Sequence, residues 1–228
     1  MVDAIFLQSH AGEILNGRFF RFIEKFKSVF DFSVPLFIFF SNEARQILKN
    51  NPPLVAENVH YVYFDEPIFN SPSVFFYSII NYAPEEYKQV LLLETDCVIR
   101  HGFLQSINSE VCRFENFLMF GSKYYGRGFR SENISTWLSE HINGVAVYNR
   151  TRQNLKFIHE SFRDQEVFID DFNYDVAICK QIMNKKINFQ EKLIDSRCIL
   201  NVCKSIDIDL DYENIKPEAK IIHTKSAL

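Results

Sequence analysis

The clearest indication of the fold is the segment Val90-Leu91-Leu92-Leu93-Glu94-Thr95-Asp96-Cys97-Val98. Its four consecutive apolar residues predict a short strand that is buried on both faces, as in a parallel sheet. Two carboxylates follow at once, and such a pair is costly at a strand end unless a cation lies beside it. Ligands of open α/β sheets bind at the carboxyl ends of the strands. We therefore expect a functional edge of the sheet at Glu94 and Asp96.

The spacing of this carboxylate pair suggests a metal site. Residues two apart in a strand point the same way, so we expect Glu94 and Asp96 to converge on one ion. Carboxylate oxygens suit Mg²⁺ or Mn²⁺ better than Zn²⁺. The alternative interpretation is structural, with Asp96 capping the turn that follows the strand.

The first half of the chain alternates predicted strands with predicted helices. We expect strands at residues 4–7, 36–40, 59–64 and 90–93. We expect helices at residues 13–30, 41–49 and 71–82. This order predicts an α/β fold with a mixed, mostly parallel sheet that is flanked by helices and joined by right-handed crossovers.

The second half is less regular. We expect strands at residues 117–120, 144–148, 199–202 and 221–222, and helices at residues 154–163 and 174–183. The polar residues 121–140 predict a long loop, of the kind that is often functional. No repeat, low-complexity segment or linker interrupts the sequence, so we expect residues 1–228 to form one domain.

Composition excludes several classes of protein. The 228 residues are 47% hydrophobic and 24% charged, as in an ordinary globular protein. A net charge of −4 argues against a nucleic-acid partner, and no apolar run is long enough for an integral membrane segment. The five cysteines form no Cys-x-x-Cys pair, and no signal peptide is visible. We therefore expect reduced thiols and a cytoplasmic location.

The segment 18–27 is both basic and rich in Phe, and two interpretations compete for it. It could lie on a membrane surface as an amphipathic helix. The predicted sheet also needs a helix with an apolar stripe to cover it, and we favour this second interpretation.

Four polar segments follow predicted strands or lie beside them: Glu94-Thr95-Asp96, Asp65, residues 141–148, and Ile221-Ile222-His223-Thr224-Lys225. In this order and spacing the chain resembles nucleotide-sugar glycosyltransferases of the GT-A fold over nearly its whole length. In particular, it is similar to the small glycosyltransferase domains of large algal (chlorella-type) viruses. That family carries an Asp-x-Asp type metal motif after a hydrophobic strand and often a late His.

The resemblance implies a metal site for Mn²⁺ or Mg²⁺. Asp96 would be a direct ligand, and His223 would be a further one through a neutral imidazole nitrogen. Glu94 replaces the usual first Asp and is one methylene longer, so it would bind the metal or reach the ribose and a metal-bound water. Lys225 would contact a diphosphate oxygen as a point charge. For His223, a structural role is the competing interpretation.

The resemblance also implies a donor site. Gln8, Ser9 and His10 would line the nucleotide slot with Thr95, and Asp65 would accept a hydrogen bond from the pyrimidine or simply end its strand. Asn143 and Gly144 would approach the donor sugar. The same Asn-Gly dipeptide is also a strong hairpin signal, and the two interpretations are compatible.

Three carboxylates are candidates for the reacting sugar. Asp170 and Asp171 are adjacent acids, so we expect one of them to face the site, and Asp175 is the alternative one helical turn further on. Such an acid would be the general base of an inverting enzyme. In a retaining enzyme it would bind sugar hydroxyls or stabilise positive charge on the sugar.

The sequence thus predicts a metal-dependent transferase that moves a sugar from a nucleoside-diphosphate sugar, with UDP expected, to a hydroxyl of a glycan or glycoprotein. The late His-x-Lys resembles retaining members, and the alternatives are an inverting enzyme or a non-catalytic carbohydrate- or nucleotide-binding module. A pyrophosphorylase would need a Gly-rich, Arg-containing loop after the first strand, and a haloacid-dehalogenase-like phosphatase would need Asp at position 94. If the protein is viral, its location would be the host cytoplasm.

Overall fold

The computed structural model describes residues 1–49, 54, 56–64, 72–82, 84–123, 140–163, 173–202 and 217–224. In chain order, the elements within these residues are β1 (Ala4–Gln8), α1 (Ala11–Leu15), α2 (Arg18–Val29), β2 (Leu36–Ser41), α3 (Asn42–Leu48), β3 (Val59–Phe64), α4 (Pro72–Tyr82), β4 (Gln89–Glu94), β5 (Cys97–Ile99), α5 (Phe103–Val111), β6 (Met119–Lys123), β7 (Ile142–Asn149), α6 (Arg152–Arg163), α7 (Tyr174–Asn184), α8 (Phe189–Lys192), β8 (Leu193–Asp195), β9 (Ile199–Val202) and β10 (Ile221–Thr224).

Seven strands form a large sheet in the order β3-β2-β1-β4-β7-β6-β8. Strands β3, β2, β1 and β4 pair in parallel, whereas β7 runs antiparallel to both of its neighbours. The pairing of Gln8 with Glu94 brings the carboxyl ends of β1 and β4 to the same level. The mixed, mostly parallel sheet flanked by helices is therefore confirmed.

Strand β4 is buried on both faces, as its apolar run predicts. Leu91 and Leu93 belong to the apolar cluster that includes the buried face of α2, whereas Val90 and Leu92 belong to the cluster that includes α4 and α7. The buried side chains of α2 are aromatic and aliphatic: Phe19, Phe22, Ile23 and Phe26. The Phe-rich stripe of segment 18–27 therefore lies in the core.

A smaller sheet of three short strands has the order β5-β10-β9. Strand β10 is antiparallel to β5 and parallel to β9. The chain passes from the large sheet to this small sheet through the turn at Thr95 and Asp96, which joins β4 to β5. The sequence patterns did not predict β5, α5, α8 or β8.

Two predicted elements had wrong boundaries. The helix expected at 13–30 is two helices, because Gly17 adopts a left-handed conformation with φ of +77°, which glycine accepts at little cost. The strand expected at 117–120 instead runs from Met119 to Lys123, so it includes the start of the predicted loop. Residues 124–139 of that loop lie outside the described residues.

Among the helices that the structure describes, none is both long and apolar enough to cross a bilayer.

Candidate functional site

Glu94, Asp96 and His223 meet where the two sheets join. Glu94 ends β4, Asp96 lies in the following turn, and His223 lies in β10 opposite Cys97 of β5. The Nε2 atom of His223 is 3.2 Å from Glu94 Oε2 and 3.2 Å from Asp96 Oδ1. The two carboxylates do converge, but through a turn, because Asp96 does not belong to the strand that contains Glu94.

The negative charges of Glu94 and Asp96 favour a cation at this site. Asp96 Oδ1 is buried, and the imidazole Nε2 of His223 lies 3.2 Å from it. Burial by itself would lower the pKa of His223, but the hydrogen bonds and negative charges of Asp96 and Glu94 raise that pKa to about 10. In the absence of a metal, the site thus draws a proton to the imidazole to offset two carboxylates.

The donor set fits a divalent cation. One ligand atom from each of the three residues lies within 4.8 Å of the others, so that a single ion can contact all three. Carboxylates and imidazoles are side chains that bind divalent cations in proteins. A metal would satisfy the buried Asp96 oxygen, which lies beside the imidazole of His223.

Neighbouring amides orient two of these ligands. Gln8 Nε2 donates a hydrogen bond of 2.7 Å to Glu94 Oε1, which leaves Oε2 directed toward His223. On the other side, His223 Nδ1 lies 3.1 Å from Asn201 Oδ1. The sequence predicted Gln8 as a nucleotide-binding residue, but it did not identify Asn201. The available signal was a polar residue within the otherwise apolar strand β9.

Glu13 links the loop after β1 to the turn after β4. Its Oε2 accepts hydrogen bonds from Ser9 Oγ and the backbone N–H of His10, at 3.1 and 2.9 Å. Its Oε1 accepts a hydrogen bond of 2.5 Å from the hydroxyl of Thr95, which is fully buried. Sequence reasoning missed Glu13, although a Glu three residues after a helix N-cap is the signal of a capping box.

Asn143 and Gly144 lie within β7, so the hairpin interpretation of this dipeptide was wrong. A Cβ atom on Gly144 would lie 1.9 Å from the hydroxyl oxygen of Tyr174 and 3.3 Å from Glu94 Oε1. Tyr148 Oη also donates a hydrogen bond of 2.9 Å to the carbonyl of Gly144. Glycine is therefore required because Tyr174 and Glu94 leave no space for a side chain at this position.

Asp175 lies in the first turn of α7 and is buried. Its Oδ1 accepts a hydrogen bond of 2.8 Å from the backbone N–H of Val176. Burial raises the pKa of Asp175, the charge of His141 opposes this rise, and the negative charge of Glu94 adds to it. Asp175 and Glu94 are thus close enough to interact. The predicted site residues Asp65, Asp170, Asp171 and Lys225 lie outside the described residues.

Solved structures share this architecture. The chain is similar to mouse xyloside xylosyltransferase 1 in its apo form, with a TM-score of 0.57 and 12% identity over 97% of each chain. It is also similar to an active-site mutant of LgtC, with a TM-score of 0.57 and 13% identity over 98% of this chain and 87% of that one. The chain has a GT-A fold. At these identities the likeness establishes the fold alone.

No family model and no curated protein matches the sequence.

Proposed function

We propose that this GT-A protein is a metal-dependent glycosyltransferase. It transfers a sugar from a nucleoside-diphosphate sugar, with UDP as the nucleotide, to a hydroxyl of a glycan or glycoprotein and retains the anomeric configuration. One observation carries the proposal: Glu94, Asp96 and His223 meet at the carboxyl edge of a sheet whose fold is shared with a xylosyltransferase. This is the edge where open α/β sheets bind their ligands.

Glu94, Asp96 and His223 hold the cation in this proposal. When bound, Mn²⁺ or Mg²⁺ supplies positive charge against the negative charge that develops on the departing nucleoside diphosphate. Lys225, two residues after His223 in the sequence, adds a second positive charge toward the same diphosphate.

The nucleoside binds beside the metal site, at the ends of β1 and β3. Gln8, Ser9 and His10 form one side of this slot, and Asp65 follows β3 in the sequence. Support comes from the hydrogen bonds that join this loop to the metal turn through Glu13. These bonds fix the distance between the part of the protein that binds the base and the part that binds the diphosphate.

The donor sugar lies near Asn143 and Gly144. The backbone of β7 at Gly144 lies close to the metal site, since a Cβ atom there would be 3.3 Å from Glu94 Oε1. Asp175, or one of Asp170 and Asp171, contacts the sugar and stabilises positive charge at its anomeric carbon. The burial that raises the pKa of Asp175 also strengthens its interaction with such a charge.

Transfer and hydrolysis of a panel of UDP- and GDP-sugars test the function. We expect Mn²⁺-dependent turnover of one donor, which EDTA and Asp96→Asn each abolish. The anomeric configuration of the product, read by NMR, separates retention from inversion. Donor binding without any turnover, with or without Mn²⁺, would indicate a non-catalytic module instead.

Alanine variants of Asp170, Asp171 and Asp175 test which carboxylate contacts the reacting sugar. The residue that contacts the reacting sugar should matter in the transition state more than in donor binding. We expect its variant to lower kcat by orders of magnitude while the donor Kd changes little, and azide to rescue turnover with inverted product. Near-normal transfer in all three variants would rule out an acid at the sugar.

A cytoplasmic location is part of the proposal. The four cysteines in the described part of the chain, Cys97, Cys112, Cys179 and Cys198, are free thiols, which suits the proposed cytoplasmic location. Neither structural neighbour links the chain to chlorella-type viruses.

A further inference from the structure

We infer that Asn201 is a positioning residue, which holds the imidazole of His223 in the one orientation and tautomer that can bind a metal. The inference rests on the proposed function, because it concerns the same metal site. It adds a residue that neither the carboxylate motif nor the late His identifies.

The first support is the placement of the two side chains. Asn201 of β9 and His223 of β10 are direct partners in a parallel ladder, and both are buried. Strand β10 lies between β9 and β5, and His223 is opposite Cys97 of β5, the residue after Asp96. Asn201 therefore contacts the imidazole on one side, while the two carboxylates contact it on the other.

The second support is the chemistry of the contact. Asn201 Oδ1 lies 3.1 Å from His223 Nδ1, and an amide oxygen can only accept a hydrogen bond. Nδ1 must therefore carry a proton. The neutral imidazole then has its lone pair on Nε2, the atom that lies 3.2 Å from both carboxylates. A hydrogen bond from the distal nitrogen of a ligating His fixes ring orientation and tautomer in this way.

The third support is the free-energy cost of burying the side-chain amide of Asn201. The Nδ2 atom of Asn201 is buried and has no hydrogen-bond partner within the described residues. A buried donor without a partner destabilises the fold, and Leu would fill a similar volume in β9 without that penalty. The contact with His223 is the feature that explains a polar side chain at this position.

Titration with Mn²⁺ alone, followed by calorimetry, tests the inference. We expect Asn201→Leu to weaken Mn²⁺ binding about 10- to 100-fold, which is the usual effect of losing such a partner. Asn201→Asp keeps an acceptor for Nδ1 and should bind Mn²⁺ nearly as well as the unaltered protein. Asn154→Leu is the matched control, since Asn154 is similarly buried but donates to the carbonyls of Phe117 and Asn149. Its Mn²⁺ affinity should not change.

NMR of the Mg²⁺-loaded protein, with ¹⁵N-labelled histidine, gives a second measurement. Its result would not change if Asn201 only stabilised the fold. We expect a proton bonded to Nδ1 of His223 that exchanges slowly in the unaltered protein and in Asn201→Asp, and rapidly in Asn201→Leu. A bare Nδ1 in the unaltered protein overturns the inference, as does unchanged Mn²⁺ affinity in Asn201→Leu. Failure of the unaltered protein to bind Mn²⁺ overturns the metal site of the proposed function as well.

Discussion

The two sheets contribute to the same site in different ways. The large sheet has long apolar strands, covered on both faces, and it places Glu94 at the edge where β1 and β4 end together. The small sheet has strands of three or four residues, and it brings in His223 from late in the sequence. Asp96 lies in the turn between them. The regular sheet thus locates the edge at which ligands bind, and the smaller sheet completes the set of metal ligands.

The ligands are also supported differently. Glu94 is oriented by Gln8, which lies beside it in the adjacent strand β1. His223 is oriented by Asn201, its partner in β9. Each sheet thus supplies one ligand together with an amide that orients it. If both contributions are needed, a change in either sheet should weaken the metal site.

We expect the largest change in Mn²⁺ affinity at Asp96, the ligand in the turn between the two sheets. Asp96→Asn should lower Mn²⁺ affinity by more than about 100-fold, since loss of a ligand should exceed the 10- to 100-fold loss of a supporting partner. Mn²⁺ calorimetry is the measurement. Asp3→Asn is the control, because the Asp3 carboxylate accepts hydrogen bonds from Lys88 and Gln89 at the opposite end of β4. If His223→Leu keeps the affinity that Asp96→Asn loses, the small sheet contributes no ligand.

A second prediction concerns packing on the side of the large sheet. Gly144→Ala should lower the free energy of unfolding by about 1–3 kcal/mol, because its new methyl group would overlap the hydroxyl of Tyr174. The ring of Tyr174 is held by stacking on Phe76, with centroids 3.8 Å apart, and so cannot easily move. Urea unfolding measures the change.

Two variants control this comparison. Gly12→Ala adds a methyl group where nothing lies within 4 Å, so it should not destabilise the protein. Adding Tyr174→Phe to Gly144→Ala removes the overlapping oxygen and should recover part of the loss. Equal stabilities of Gly144→Ala and Gly12→Ala would contradict the close approach.

A third prediction concerns the turn itself. Thr95→Val should destabilise the protein by about 1 kcal/mol, because it removes the hydrogen bond to Glu13 without changing the size of the side chain. A double-mutant cycle with Glu13→Gln, measured by chemical unfolding, tests the partner. If the two single effects simply add, the hydroxyl of Thr95 does not act through Glu13.

The last prediction is a pH dependence on the side of the small sheet. The pKa of His223 is raised in the folded, metal-free protein from 6.5 to about 10. The stabilisation from this group is therefore complete below about pH 6.5 and is lost as the pH rises toward 10. Thermal unfolding in EDTA should show this decline. His223→Gln should remove this pH dependence of thermal stability. His101→Gln, which changes an exposed histidine, should leave it unchanged. If stability declines with pH in His223→Gln as it does in the unaltered protein, other groups cause the decline.

Much of the large sheet was predictable because its signals are local. The apolar runs of β1, β2 and β4 are bounded by polar residues, and their alternation with amphipathic helices specifies parallel pairing. The position of Glu94 and Asp96 at the edge follows from the same run. Even the break between α1 and α2 had a local signal, since Asn16-Gly17 is a turn dipeptide.

The rest depends on contacts between residues far apart in sequence. Strand β5 has three residues and exists because β10 pairs with it, so no periodicity could reveal it. Asn143-Gly144 has the local preference of a hairpin, yet pairing of β7 with β4 and β6 overrides that preference. The contact of Asn201 with His223 likewise follows from the register of two strands, which the sequence of neither strand specifies.

The turn at Thr95 and Asp96 has a mechanical consequence. A cation shared by Asp96 and His223 would act as a reversible cross-link that closes a loop of about 130 residues, for which the entropy cost of closure in the unfolded chain is substantial. Separation of the small sheet from the large one would then require breaking metal–ligand bonds. Cation occupancy would thereby join the two sheets into one cooperative unit, and local opening at their junction would become as rare as global unfolding.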